Sequence, residues 1–181
     1  MLLQASTTSP QYQVAEPALQ FPWFGIRTRS NFEKTTSAFL ASKGYQQYLP
    51  LYVQRRQWSD RAVDTRLPLF PGYVFCRFDP KCRTPILSTP GVFAIVGFGN
   101  EPAPIPDEEI DAIETVLKFG RGAEPCPFLR EGQRVRIKSG SLEGLEGILT
   151  KKKNDLRIVV SVTMLQRSVA VEIDNDCIVT V

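Results

Sequence analysis

Leu67 to Phe78 reads LPLFPGYVFCRF, and the turn at its centre decides how the chain must be laid out. Pro71 fixes one backbone dihedral and removes an amide donor, while Gly72 admits the positive φ of a tight turn, so Phe70-Pro71-Gly72 is read as a turn. The Pro-Gly pair lets the flanking aromatics sit on different faces. Beyond it Tyr73 to Phe78 has strand composition, with Tyr73, Phe75 and Cys76 available for burial.

Working outward, Phe21 to Thr28 (FPWFGIRT) follows a proline with aromatic and β-favouring residues and is predicted as the first strand. Ser30-Asn31-Phe32-Glu33 has the spacing of a capping box, which predicts a helix from about Asn31 to Lys43, ended by Gly44, with Phe32, Phe39 and Leu40 on its apolar side. Tyr45 to Trp58 is strand-like but interrupted by Pro50, and Ser59 to Asp64 is polar enough for a hairpin tip. Pro80 to Thr89 reads as short helix or irregular chain, Pro90-Gly91 as a turn, and Val92 to Phe98 as a strand. Asp107 to Lys118 is the clearest helix: acids fill the first turn, where they favour the helix dipole, and Ile110, Ile113 and Leu117 make one stripe. These elements predict an α+β domain over 21–118, an antiparallel sheet flanked by helices.

Phe119 to Arg130 (FGRGAEPCPFLR) is rich in Gly and Pro, which predicts a linker over 119–129. After it the texture becomes that of short strands: Gln133–Lys138, Gly147–Lys151, Leu156–Thr163, Ser168–Ile173 and Cys177–Val181. Five short strands in so few residues bury enough surface only by curling, so 130–181 is expected to be an all-β, SH3-like barrel. Residues 1–20 lack a basic start and a sustained apolar stretch; they are expected to be a disordered polar tail, not a signal peptide.

Composition narrows the function. The 181 residues are 43% hydrophobic and 23% charged, which suits a globular chain. No apolar run approaches the roughly 20 residues of a bilayer span, so no membrane contact and a cytoplasmic location are expected. There is no histidine, and Cys76, Cys82, Cys126 and Cys177 are scattered without CxxC spacing, so neither a metal site nor a cofactor is expected. With no common general base and no nucleophile motif, the chain is expected not to be an enzyme. Net charge is only +3, yet Arg27 to Arg83 holds eleven Lys/Arg against four acids, whereas Glu101 to Glu114 holds six acids and no base. Such asymmetry suggests one nucleic-acid-facing side.

Three stretches in order resemble the NusG N-terminal domain: Leu69-Phe70-Pro71-Gly72-Tyr73-Val74-Phe75, then Thr89-Pro90-Gly91-Val92, then Pro104-Ile105-Pro106-Asp107-Glu108-Glu109-Ile110. Val135 to Gly147 (VRIKSGSLEGLEG) is similar to a KOW motif, and with Trp23 on the first strand the likeness runs over about residues 21 to 181. The resemblance implies a transcription elongation or antitermination factor acting as a monomer. Its N-terminal domain would lay an apolar patch on the clamp helices of the largest RNA polymerase subunit and suppress pausing or termination. By position that patch comprises Phe70 and Phe98, supported by Tyr73, Phe24 and Ile95, with Arg83 and Thr84 near a polymerase gate-loop contact. The resemblance also implies contact with the non-template DNA strand through Arg27, Arg29 and Lys34, while Phe32, Thr35 and Phe39 stand where relatives read bases.

The KOW domain would engage Rho or a small-subunit ribosomal protein through a loop that corresponds here to Met164, Leu165, Gln166 and Arg167. The short hairpin before Leu67 and the Val96-Gly97-Phe98-Gly99 ending lean toward a specialised paralogue of the RfaH or operon-specific type. Arg157 to Met164 is dense in β-branched residues, so the barrel and not a helical alternative is expected to be stable. The rival reading is an RNA-binding KOW protein of the ribosome. Nine Lys/Arg against seven acids in residues 130–181 is a weak basic excess for it.

Overall fold

Period-two alternation in the first strand sets the architecture, because each of its faces collects a different set of partners. The computed structural model describes residues 21–58, 61–119, 123–127, 132–152, 155–173 and 177–180. The predicted tail, the tip residues 59 and 60, and parts of the predicted linker lie outside them. In chain order the first elements are β1 (Trp23–Thr28), α1 (Glu33–Ser42), β2 (Gln47–Tyr48), β3 (Leu51–Trp58), β4 (Arg61–Pro68) and β5 (Tyr73–Arg77). Next come α2 (Thr84–Leu87), β6 (Val92–Ile95), β7 (Gly97–Phe98), β8 (Glu101–Pro102), β9 (Pro104–Ile105) and α3 (Asp107–Phe119). The remainder is β10 (Glu124–Pro127), β11 (Gln133–Ile137), β12 (Glu146–Lys152), β13 (Asp155–Val162), a 3-10 turn (Thr163–Leu165), β14 (Arg167–Ile173) and β15 (Ile178–Thr180).

The first sheet runs β2-β5-β1-β6, with β9 also pairing β1, and its pairings are antiparallel. Phe24 and Ile26 of β1, with Val74 and Cys76 of β5, point to one face, where Leu40 of α1 and Ile86 of α2 complete a buried cluster. Trp23 and Phe75 point to the other, where Ile110, Ile113 and Val116 of α3 cover them. That second cluster continues without a break into the C-terminal residues Val135, Ile158, Val160, Val162 and Leu165. A sheet covered on both faces has lost its solvent side, which is why β1 reads as nearly continuous apolar sequence.

The C-terminal sheet is antiparallel in the order β10-β14-β13-β12-β11-β15. Five of its strands coincide within a few residues with the five predicted. The sixth, β10, falls inside the predicted linker: Glu124 to Pro127 pairs with β14, and α3 extends through Phe119. Unpaired amides along the edge of β14 capture the chain despite its prolines, which edge strands tolerate.

Other expectations fail locally. No capping box forms, since α1 starts at Glu33 without a side-chain cap. The Glu33 carboxylate instead accepts the Gly72 amide at 2.8 Å, tying the helix to the Pro-Gly turn. Helix α1 turns Phe32 and Phe39 outward (42% and 41% exposed) and buries Thr36, Ser37 and Leu40. Its two small hydroxyls are satisfied there: Thr36 donates to the Pro90 carbonyl and Ser37 to Gln47. In α3 the third buried position is Val116, with Leu117 only partly covered. Strand pairing continues to Trp58 opposite Arg61, so the predicted tip 59–64 is mostly strand. No helix among the described residues is long and apolar enough to cross a membrane.

Candidate functional site

The Pro71-Gly72 turn has the positive φ anticipated for Gly72, 84°, but it folds its aromatic inward. The Thr28 amide donates to the Gly72 carbonyl at 2.8 Å, and Glu33 holds the Gly72 amide, so the turn is pinned from two sides. Phe70 is consequently only 2% exposed, edge-on to Phe75 with centroids 5.6 Å apart. Phe24 is 1% exposed and packs on Phe78 at 4.6 Å, on the opposite face of the sheet. Neither ring presents the outward apolar surface expected of it. Tyr73 and Ile95 are half-buried.

Phe98 is the residue of that group that stands out, at 75% exposure on the β7–β8 hairpin. Val96 lies between β6 and β7 with its amide still donating to the Gly25 carbonyl of β1, and beyond it Gly97–Phe98 pairs with Glu101–Pro102, so the predicted strand 92–98 divides and its far end forms a separate hairpin. The guanidinium of Arg83 donates to the Asn100 carbonyl at the hairpin turn. That bond ties Arg83, next to Thr84 at the start of α2, to the hairpin that carries Phe98.

The basic residues separate into two kinds. Arg27 and Arg29 are exposed, and neither forms an ion pair among the described residues. Arg27 places its guanidinium 5.1 Å from the centroid of Phe93, a ring 65% exposed that the sequence had placed inside a regular strand. Lys34 is engaged elsewhere, donating to the Arg66 carbonyl at 2.9 Å.

The C-terminal turn does not stand free. Leu165 is 6% exposed and lies against Gly25 and Val96, and Met164 is half-buried against the same cluster. The Thr163 amide donates to Glu109 of α3 at 3.2 Å. Gln166, in the left-handed region at φ 51°, and Arg167 remain exposed. Burial pushes the Glu109 carboxyl above its ordinary pKa, the bonds from Thr163 oppose the shift, and neighbouring Glu108 adds to it. A cleft of about 1120 Å³ opens between α3 and the C-terminal sheet, lined by Glu108, Asp111, Glu143 and Glu146 with Arg134 among them. Burial drives the Cys76 and Cys126 thiols up to about 12 and about 11, so both are protonated at neutral pH and unsuited to nucleophilic work.

The description "Transcription termination factor nusG" belongs to the family model that matches residues 21–114, from β1 into α3. The chain belongs to the NusG family. A transcription termination/antitermination protein NusG of Thermus thermophilus is 29% identical over 178 residues, covering 86% of this chain and 96% of its own length. The NusG of Lactococcus lactis is 27% identical over 165 residues, covering 84% and 89%. A solved structure, "Domain interaction in Thermotoga maritima NusG", aligns with 87% of this chain and 95% of its own at 20% identity and a TM-score of 0.49.

Proposed function

We propose that this chain is a transcription termination/antitermination factor that binds RNA polymerase through residues 21–118, without enzymatic activity. The observation that carries the reading is Phe98: a large apolar side chain held 75% exposed on a two-strand hairpin. Exposed apolar rings on fixed backbone are what a protein partner recognises. Membership of the NusG family supports polymerase as that partner, with the clamp helices of the largest subunit as the surface. Arg83 and Thr84 extend the contact, and Arg27 and Arg29 meet the displaced non-template strand.

In this reading residues 130–181 are a KOW barrel, joined by the segment 119–129, and recruit Rho or a small-subunit ribosomal protein through Met164 to Arg167. Leu165 is seated on the first sheet, so that recruitment requires the turn to leave Gly25. Phe70 and Phe24 act from within the core, as supports for the polymerase-binding face. The factor is an operon-specific paralogue, and the small basic excess of residues 130–181, nine Lys/Arg against seven acids, speaks against a ribosomal RNA-binding role.

Co-elution of the full chain with core polymerase tests this directly. Parent protein is expected to co-elute and Phe98→Ala to lose most of the binding at unchanged thermal stability. Failure of the parent to bind any core polymerase would sink the reading.

A further inference from the structure

Helix α3 presents two stripes. Ile110, Ile113 and Val116 are buried in the shared core, while Glu108, Asp111, Ala112 and Thr115, three or four residues apart, line the cleft toward the C-terminal sheet. That sheet contributes Glu143, just before β12, and Glu146 at its start, together with the aliphatic side chains of Ile148 and Val160.

Five carboxylates line the cleft against one guanidinium, that of Arg134. Two of them are engaged: Glu146 accepts from Arg136 at 2.8 Å, and Glu109 accepts the Thr163 amide at 3.2 Å. Glu108, Asp111 and Glu143 are exposed and have no cation partner among the described residues. A cleft lined by one sign of charge concentrates its field, draws in the opposite charge and repels phosphates. Its volume, about 1120 Å³, exceeds the roughly 300–1,000 Å³ of small-molecule pockets. A lone cation would leave the aliphatic lining wet, and a purely apolar segment would strand the acids. A short peptide segment carrying both guanidinium groups and aliphatic side chains satisfies both. Residues 1–20 of this chain hold one acid and no Lys or Arg, so their composition does not match.

We propose that the cleft between α3 and the C-terminal sheet is a docking groove for an arginine-bearing, partly aliphatic segment of a partner protein. Guanidinium forks pair with Asp111 and Glu143, and aliphatic carbons cover Ala112 and Val160. Because each half of the chain supplies part of the lining, an occupied groove ties α3 to the C-terminal sheet and keeps Leu165 on Gly25. Only its consequence, that the bound segment opposes recruitment through Met164 to Arg167, rests on the preceding reading.

Fluorescence anisotropy of a labelled peptide alternating leucine and arginine, with the full chain and without polymerase, tests the groove. The parent is expected to bind it at low salt and to ignore the same peptide with glutamate in place of arginine. Asp111→Asn and Glu143→Gln should each weaken binding about threefold and together about tenfold, one exposed ion pair apiece. Asp64→Asn removes the same charge from an exposed position on β4 and should leave the affinity unchanged. Thr115→Phe, which fills the groove without altering charge, should abolish binding. In the parent, bound peptide should slow hydrogen exchange of the Thr163 amide and shift the amide resonances of both Ala112 and Glu143. No binding by the parent, or equal binding of the glutamate peptide, overturns the proposal. Equal losses in Asp64→Asn and Asp111→Asn also overturn it, by reducing the effect to net charge. So does dimerisation of the peptide-free parent that Glu143→Gln abolishes, which makes the occupant a second copy. Peptide binding without polymerase co-elution supports the groove and sinks only the preceding reading; co-elution without peptide binding does the reverse.

Discussion

Leu165 rests on Gly25. A Cβ at position 25 would lie 2.8 Å from Leu165 Cδ2 and 3.1 Å from Val96 Cγ2, so the missing side chain of β1 is the seat of the C-terminal turn. Trp23 and Arg27, which share that face of β1, flank the gap. The Leu165 methyl can swing aside for one carbon but not for a branched side chain, since Val96 closes the other wall. Gly25→Val is therefore expected to unseat the turn while leaving both sheets intact. Amide resonances of Val96, Thr163 and Gln166 should shift strongly in this variant and little in Gly25→Ala; the same spectrum for both would show the contact to be unimportant.

The core around Phe75 should be far less forgiving than the seat. This ring is fully buried between Phe70, edge-on at 5.6 Å, and Tyr48 at 6.2 Å. Phe75→Ala is expected to cost about 3–5 kcal/mol, the range for a large buried ring whose cavity cannot collapse. Urea denaturation measures it, and a loss below about 1 kcal/mol would mean that the cluster repacks.

Phe98 is predicted to behave in the opposite way. At 75% exposure its truncation should leave the urea midpoint unchanged within about 0.5 kcal/mol. Its whole effect should appear in polymerase binding. Phe70→Ala should do the reverse and lower stability first, because its ring is 2% exposed. Comparing the two variants by melting and co-elution checks the assignment; matching profiles would contradict it.

Glu109 sets a pH dependence whose sign follows from burial. Its folded pKa is raised above the ordinary 4.5, chiefly by desolvation, with Thr163 pulling down and Glu108 pushing up. The folded protein then binds this proton more tightly than the unfolded chain. The contribution is fully present below the ordinary value and is lost as pH rises through the raised one. Glu109→Gln, which keeps an acceptor for the Thr163 amide, should flatten that part of the curve. Urea midpoints from about pH 4 to about pH 7 measure it, and an unchanged profile in the variant would assign the dependence elsewhere.

Arg157 links three strands of the C-terminal sheet. Its guanidinium, on a side chain 9% exposed, bonds Glu124 of β10 and, at 2.6 Å, Glu172 of β14. Both carboxylates are partly exposed and can rehydrate, so the loss is smaller than for a fully buried pair. Arg157→Ala is expected to cost about 1–2 kcal/mol after that screening, and Arg157→Met less, because its stem keeps the packing. Hydrogen exchange should rise first in the amides of β10. If β10 stays protected in Arg157→Ala, strand pairing alone holds it.

How far the sequence could be read depends on whether a feature is local. The Pro71-Gly72 turn, the acid-started α3 and five C-terminal strands were legible because turn chemistry, dipole preference and two- or 3.6-residue periods act within a few residues. The edge strand β10 was not, since Gly and Pro mark a linker equally well and only an open edge on β14 recruits Pro125 and Pro127 into a ladder. Nor was α1: Phe32, Phe39 and Leu40 suggest its inner face, yet Gln47 and Pro90 supply partners for hydroxyls and draw Thr36 and Ser37 inward.

The candidate surfaces divide in the same way. Residue types, charge asymmetry and motif order, all of them properties of the chain itself, determined that this is a NusG-type protein with an uneven basic half. Which aromatics face water was decided by the tertiary structure alone. A bulge ejects Phe93, a pinned turn draws Phe70 inward, and the vacant side-chain position at Gly25 seats Leu165. Each outcome depends on register or contact between residues far apart in sequence, and a one-residue shift in pairing reverses which side of a sheet a side chain takes.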